Sequence, residues 1–90
     1  MDRRARIESM LRSVFAPLEL EVVDESALHR GHAGAEGGAG HFRVRLVSDR
    51  FRGVARLARH RMVYEVLAAE IGPEIHALAL SLHDPEEVSR

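Results

Sequence analysis

Ninety residues, 46% of them apolar but only 4% aromatic, suffice for a single domain over residues 1–90 with a core of Leu, Val, Ile and Ala, and leave no room for a second. A formal charge of −1 with 30% charged residues argues against a disordered chain, and no apolar run is long enough to span a bilayer. Cysteine is absent, which excludes disulfides, thiolate nucleophiles and any self-contained Cys-ligated metal site.

The N-terminus enters an amphipathic pattern directly, without an apolar signal segment, so a cytoplasmic location is expected. Ile7, Met10, Leu11, Val14 and Phe15 share one helical face, and Pro17 ends the pattern. Leu18, Leu20 and Val22 then alternate with Glu19, Glu21 and Val23, a strand ending near Glu25. Residues Ser26 to Gly40 hold five of the seven glycines and read as a long mobile loop, of a length that usually accompanies function. Phe42, Val44 and Leu46 alternate with His41, Arg43 and Arg45 as a second strand, expected to pair antiparallel with the first.

After a turn at Ser48 to Gly53, Leu57, Met62, Val63, Val66, Leu67 and Ile71 fit a helix that stops at Gly72-Pro73. His76, Leu78, Leu80 and Leu82 alternate as a third strand, which places His76 on the Leu78/Leu80 face as the first residue of a buried row. Asp84 and Pro85 supply the cap and first position of a last short helix. The order α-β-β-α-β-α, with a strand-helix-strand unit in its second half, predicts an α+β two-layer sandwich with a parallel, right-handed crossover.

Charge is unevenly spread. All 13 basic residues are Arg, seven of them between Arg43 and Arg61, while Met62 to Ser89 holds none and collects Glu and Asp. The second helix therefore starts basic and ends acidic, against its macrodipole. Arg56, Arg59 and His60 at helical spacing would present one positive surface, and Arg50, Arg52 and Arg61 extend it, which makes this stretch a candidate nucleic-acid interface.

Enzyme signatures are missing: there is no Gly-x-Ser-x-Gly elbow, no Walker loop and no Lys, and a non-enzymatic protein is expected. The adjacent carboxylates Asp24-Glu25 and Glu86-Glu87 read as solvated. Gly37-Gly38-Ala39-Gly40 spells the Gly-x-x-Gly clamp of KH domains, and the element order is class II KH-like. The clamp, however, joins two helices in such domains and here precedes a strand. The six histidines are the groups able to bind a metal, but no local spacing groups them.

Taken together, several blocks closely resemble the BolA family. They are Leu20-Glu21-Val22-Val23-Asp24-Glu25-Ser26, the His-bearing glycine loop, His41-Phe42-Arg43-Val44, Leu46-Val47-Ser48-Asp49-Arg50-Phe51 with Gly53, Arg59-His60-Arg61-Met62-Val63-Tyr64 and His76-Ala77-Leu78-Ala79-Leu80. The likeness runs from about Ile7 to Leu82, and His29-Arg30-Gly31-His32-Ala33-Gly34 looks like the bacterial branch with histidine in this loop.

The resemblance implies a mixed three-stranded sheet and a non-enzymatic adaptor that binds a monothiol glutaredoxin around a bridging 2Fe-2S cluster, in iron-sulfur trafficking or stress-linked regulation. It implies His76 as the C-terminal ligand and His32 or His41 as the loop ligand, with His29 a neighbour of open role. The glutaredoxin cysteine and glutathione would complete the other side, as a chain without cysteine requires. The family also includes bacterial transcriptional regulators. That implies an alternative, a DNA-binding role for the region Arg50, Arg52, Arg56, Arg59, His60 and Arg61.

Overall fold

A computed structural model describes residues 1–29 and 38–89, with the side chains of Leu28 and His29 left aside. Helix α1 (Arg3–Phe15) starts at an Asp2 cap whose carboxylate accepts from the Ala5 N–H at 2.7 Å. It ends at Ala16, which takes the left-handed conformation (φ 43°) so that its N–H reaches the Arg12 carbonyl. Strands β1 (Glu19–Asp24) and β2 (Gly40–Val47) pair antiparallel, and β3 (Ile75–His83) pairs parallel to β2, giving the order β1-β2-β3. The expected element order, strand directions and two-layer α+β arrangement are all present.

One face of the sheet is apolar because the chain alternates. Val22, Phe42, Val44, Leu46 and Leu82 point to the helices and are buried, and Leu20, Leu78 and Leu80 are packed against the same cluster. Ile7, Leu11 and Phe15 of α1 cover them together with Val63 of α2 (Arg56–Val66) and Leu67 just beyond it. Phe15 meets Phe51 with ring centroids 5.1 Å apart. The turn between β2 and α2 is fixed by buried Ser48, whose hydroxyl donates to the Phe15 carbonyl at 2.6 Å and accepts from the Arg50 N–H.

Helix α2 is shorter than its apolar pattern. It ends at Val66 instead of Ile71, and the chain proceeds in turns to an isolated bridge between Ile71 and Ile75. The reason is geometric: Gly72 (φ +99°) must reverse the chain there, and Ile71 is already engaged with the start of β3. At the other end, the expected loop is partly ordered structure. Residues Ser26–His29 form a 3-10 turn and Gly40 is the first residue of β2, while 30–37 lie outside the described residues. Among the described residues no helix is long and apolar enough to cross a membrane.

Candidate functional site

The position of His76 departs from simple alternation. Gly40 pairs with Ile75 but His41 pairs with Ala77, so His76 is the extra residue of a β-bulge at the start of β3. The bulge resets the phase of the strand. Ile75 takes the core position, 1% exposed, and His76 is exposed rather than buried in the Leu78/Leu80 row. The expectation that His76 begins the buried face is thus corrected.

The bulge brings His76 to His41, which begins the alternate, non-core positions of β2. Their ring centroids are 5.2 Å apart, inclined at 48°. That separation is of the order reached by two imidazoles bound to one metal ion, although the His41 Nε2 is buried while His76 is exposed. Among the described residues no group of three His, Cys, Asp or Glu is close enough to hold a metal ion. His32 lies outside the described residues, and of His29 only the backbone, at the end of its 3-10 turn, is described.

Local packing fixes this corner. Ser26 follows Asp24, whose carboxylate accepts from the Ser26 N–H at 2.9 Å. The Ser26 hydroxyl in turn accepts from the His41 N–H at 3.1 Å, and Gly40 N–H donates to the Glu74 carbonyl at 2.9 Å. Gly40 admits no side chain: a Cβ would lie 2.6 Å from Ser26 Oγ and 2.7 Å from the Phe42 ring. That ring is buried below the Arg3 guanidinium, 5.8 Å from its centroid. Next to His41 a shallow depression of about 240 Å³ lies between Glu25, Arg43, Ala77 and Ala79, with Arg43 paired to Glu25 at 3.0 Å. Asp24 and Glu25 are thus engaged in local bonds, not merely solvated.

The basic region divides in two. Arg50, Arg52, Arg56 and Arg61 are exposed and His60 is half-buried, its Nδ1–H donating to the Arg56 carbonyl at 2.9 Å. Arg52 pairs with Asp49 at 2.7 Å. Arg59 does not belong to this surface: it is 5% exposed and stacks 5.7 Å above the Phe51 ring. It donates to the Val54 carbonyl at 2.8 Å, the Leu82 carbonyl at 3.2 Å and the Glu87 carboxylate at 2.5 Å. The expectation of an outward-facing Arg59 fails because Glu87 of the short C-terminal helix α3 (Pro85–Val88) and its cap Asp84 draw the guanidinium in against the Leu82 carbonyl.

Glu87 therefore has a structural role that its position in an acidic pair concealed. The guanidinium of Arg59, and then the Asp84 N–H, hold its carboxyl down at about 2 from a usual 4.5. The signal was present in Asp84-Pro85-Glu86-Glu87, where Asp84 and Glu87 are three apart and close a capping box.

Fold and site define a small two-layer α+β protein with a β-bulged histidine beside a second histidine, on a chain without cysteine. The BolA-like protein family model matches residues 11–87, and the chain belongs to that family. It is 52% identical over 84 residues to the DNA-binding transcriptional regulator BolA of Escherichia coli strain K12, covering 93% of this chain and 77% of that one. It is 42% identical to SufE-like protein 1 of Arabidopsis thaliana, over 96% of this chain but only 24% of the relative. The solved BolA domain of SufE1 from Arabidopsis thaliana superposes with a TM-score of 0.86 at 39% identity, covering 98% of each chain.

Proposed function

We propose that this protein is a non-enzymatic adaptor that binds a monothiol glutaredoxin and co-ligates a bridging 2Fe-2S cluster through His76 and one loop histidine, His32 or His41. The observation that carries the reading is the 5.2 Å separation of the His41 and His76 rings. Histidine replaces cysteine at clusters of the Rieske type, so imidazole pairs are competent iron ligands. A bound cluster supplies electron storage and transferable iron and sulfide. This chain's own part is to present imidazoles from one corner of the sheet, with the 240 Å³ depression opening beside His41.

Titration of the chain into cluster-loaded monothiol glutaredoxin, followed by visible absorption and circular dichroism, tests this. The spectrum is expected to change on mixing, and His76→Ala is expected to abolish the change. His41→Ala and His32→Ala then separate the two loop-side candidates. An unaltered response of the His76 variant removes that residue from the site.

A second reading, duplex DNA binding, is favoured by the exposed arginines Arg50, Arg52, Arg56 and Arg61 and by the name of the Escherichia coli relative. Arg59 takes no part in it except through stability.

A further inference from the structure

The outer edge of β3 is backbone without the usual protection. Strand edges are commonly guarded by charge, proline or a bulge in the exposed stretch. β1, the opposite edge of the sheet, carries Glu19, Glu21 and Asp24, but Ile75–His83 contains no Arg, Lys, Asp, Glu or Pro, and its bulge sits at the very start.

The direction of each backbone group follows from the ladder. Ser48 N–H donates to the His83 carbonyl at 3.0 Å, so the odd residues of β3 face β2, and the N–H and C=O of Leu78, Leu80 and Leu82 point outward. The two ends of this edge are closed within the chain. Arg59 takes the Leu82 carbonyl, and Gly72 N–H takes the Ile75 carbonyl at 2.9 Å. Between them Leu78 and Leu80 present two N–H and two C=O groups that no described residue bonds.

We propose that a second copy of this chain occupies this edge, antiparallel, across a two-fold axis at Ala79. In that register Leu78 exchanges both of its backbone bonds with Leu80 of the second copy, and Leu80 does the same with Leu78. Two N–H and two C=O groups on each side are thereby satisfied, with the outward Leu82 N–H lying beyond the paired stretch. On the open face Ala79 opposes its own copy and Ala77 opposes Ser81, all small; on the helix face half-buried Leu78 meets Leu80. The occupant is a second copy because the edge is self-complementary and uncharged. A two-fold repeats every side chain, so an edge bearing charges would place like charges close together, and this one carries none. An edge without charge also has nothing with which to select an acidic or basic foreign strand. The contact is small, so the dimer is a weak one.

Sedimentation equilibrium of the full chain from about 10 μM to about 1 mM tests the proposal. The mean mass is expected to rise from 10.1 kDa toward twice that value. Ala79→Glu, at an exposed position, is expected to hold the chain monomeric with an unchanged melting temperature. The chain has no cysteine, so Ala79→Cys provides a single thiol at a pair whose Cα atoms would stand about 4.5 Å apart, within disulfide reach. Mild oxidation should cross-link it at least tenfold faster than Ala69→Cys, at an exposed position away from β3. A mass that stays monomeric to the highest concentration, a dimer indifferent to Ala79→Glu, or equal cross-linking of the two cysteine variants overturns the proposal.

Discussion

At the scale of single residues, the site depends on a position that has no chemistry of its own. Gly40 must lack a Cβ because Ser26 Oγ and the Phe42 ring occupy that space. Phe42 is 2% exposed and packed, so it cannot yield, and Gly40→Ala is expected to destabilise the chain by about 1–3 kcal/mol through overpacking. The same substitution displaces Ser26, which holds the His41 N–H, so it should also weaken the spectral response to cluster-loaded glutaredoxin. Urea unfolding and the mixing spectrum check the two effects separately. A variant with wild-type urea midpoint would mean that the corner relaxes around the methyl group. The composition of residues 26–40 suggested only a flexible segment, because one of its glycines looks like any other. What distinguishes Gly40 is a close approach between residues 14 and 2 positions away, which a linear pattern does not contain. Alternation misplaces His76 for a related reason. Alternation across β3 is real from Ala77 onward, but one extra residue shifts the phase, and the bulge leaves no mark in hydropathy.

At the scale of elements, α3 is held less by its own four residues than by Arg59 of α2. The reversed charge order of α2, unfavourable for its macrodipole, is explained here: the helix has no side-chain cap and no acid in its first turn, and Arg59 serves α3 instead. The capping signal of α3 was legible in the sequence, since Asp84, Pro85 and Glu87 act locally. Its docking was not, because Arg59 and Glu87 are 28 residues apart. The coupling has a pH signature. Glu87 titrates at about 2 when folded against 4.5 ordinarily, so its stabilising contribution is fully present above about pH 4.5 and is lost as the pH falls toward 2. The difference in melting temperature between wild type and Glu87→Gln is therefore expected to be largest near neutral pH and to disappear as the pH falls through about 2. A difference that stays constant over that range would show that the carboxylate charge is not what holds α3. Arg59→Ala, which removes a buried hydrogen-bonded cation and leaves the Leu82 carbonyl and two carboxylates without it, is expected to cost about 2–3 kcal/mol.

At the scale of the whole molecule, the charge asymmetry along the chain is largely cancelled in space. Arg6 pairs with Glu70 and lies 3.8 Å from Glu74, Arg59 lies against Asp84 and Glu87, and Arg45 pairs with Glu19 at 2.6 Å. The folded protein therefore presents a smaller positive field than the run Arg43 to Arg61 suggests. That bounds the DNA-binding reading. With Arg59 buried, the basic region offers Arg50, Arg52, Arg56 and Arg61 to phosphates, and Arg52 is already shared with Asp49. Each neutralised phosphate contributes about −0.9 to the slope of log K against log salt, so duplex binding through this surface should show a slope no steeper than about −4. Removing one contact lowers the slope by about 1, and Arg56→Ala with Arg61→Ala should lower it by about 2 while weakening all sequences alike. Arg59→Ala is the wrong probe, because any loss of binding would follow from unfolding of the α2 and α3 contact. A slope well beyond −4, or one unmoved by the double substitution, would place the phosphate contacts elsewhere on the molecule and remove this arginine surface from the DNA reading.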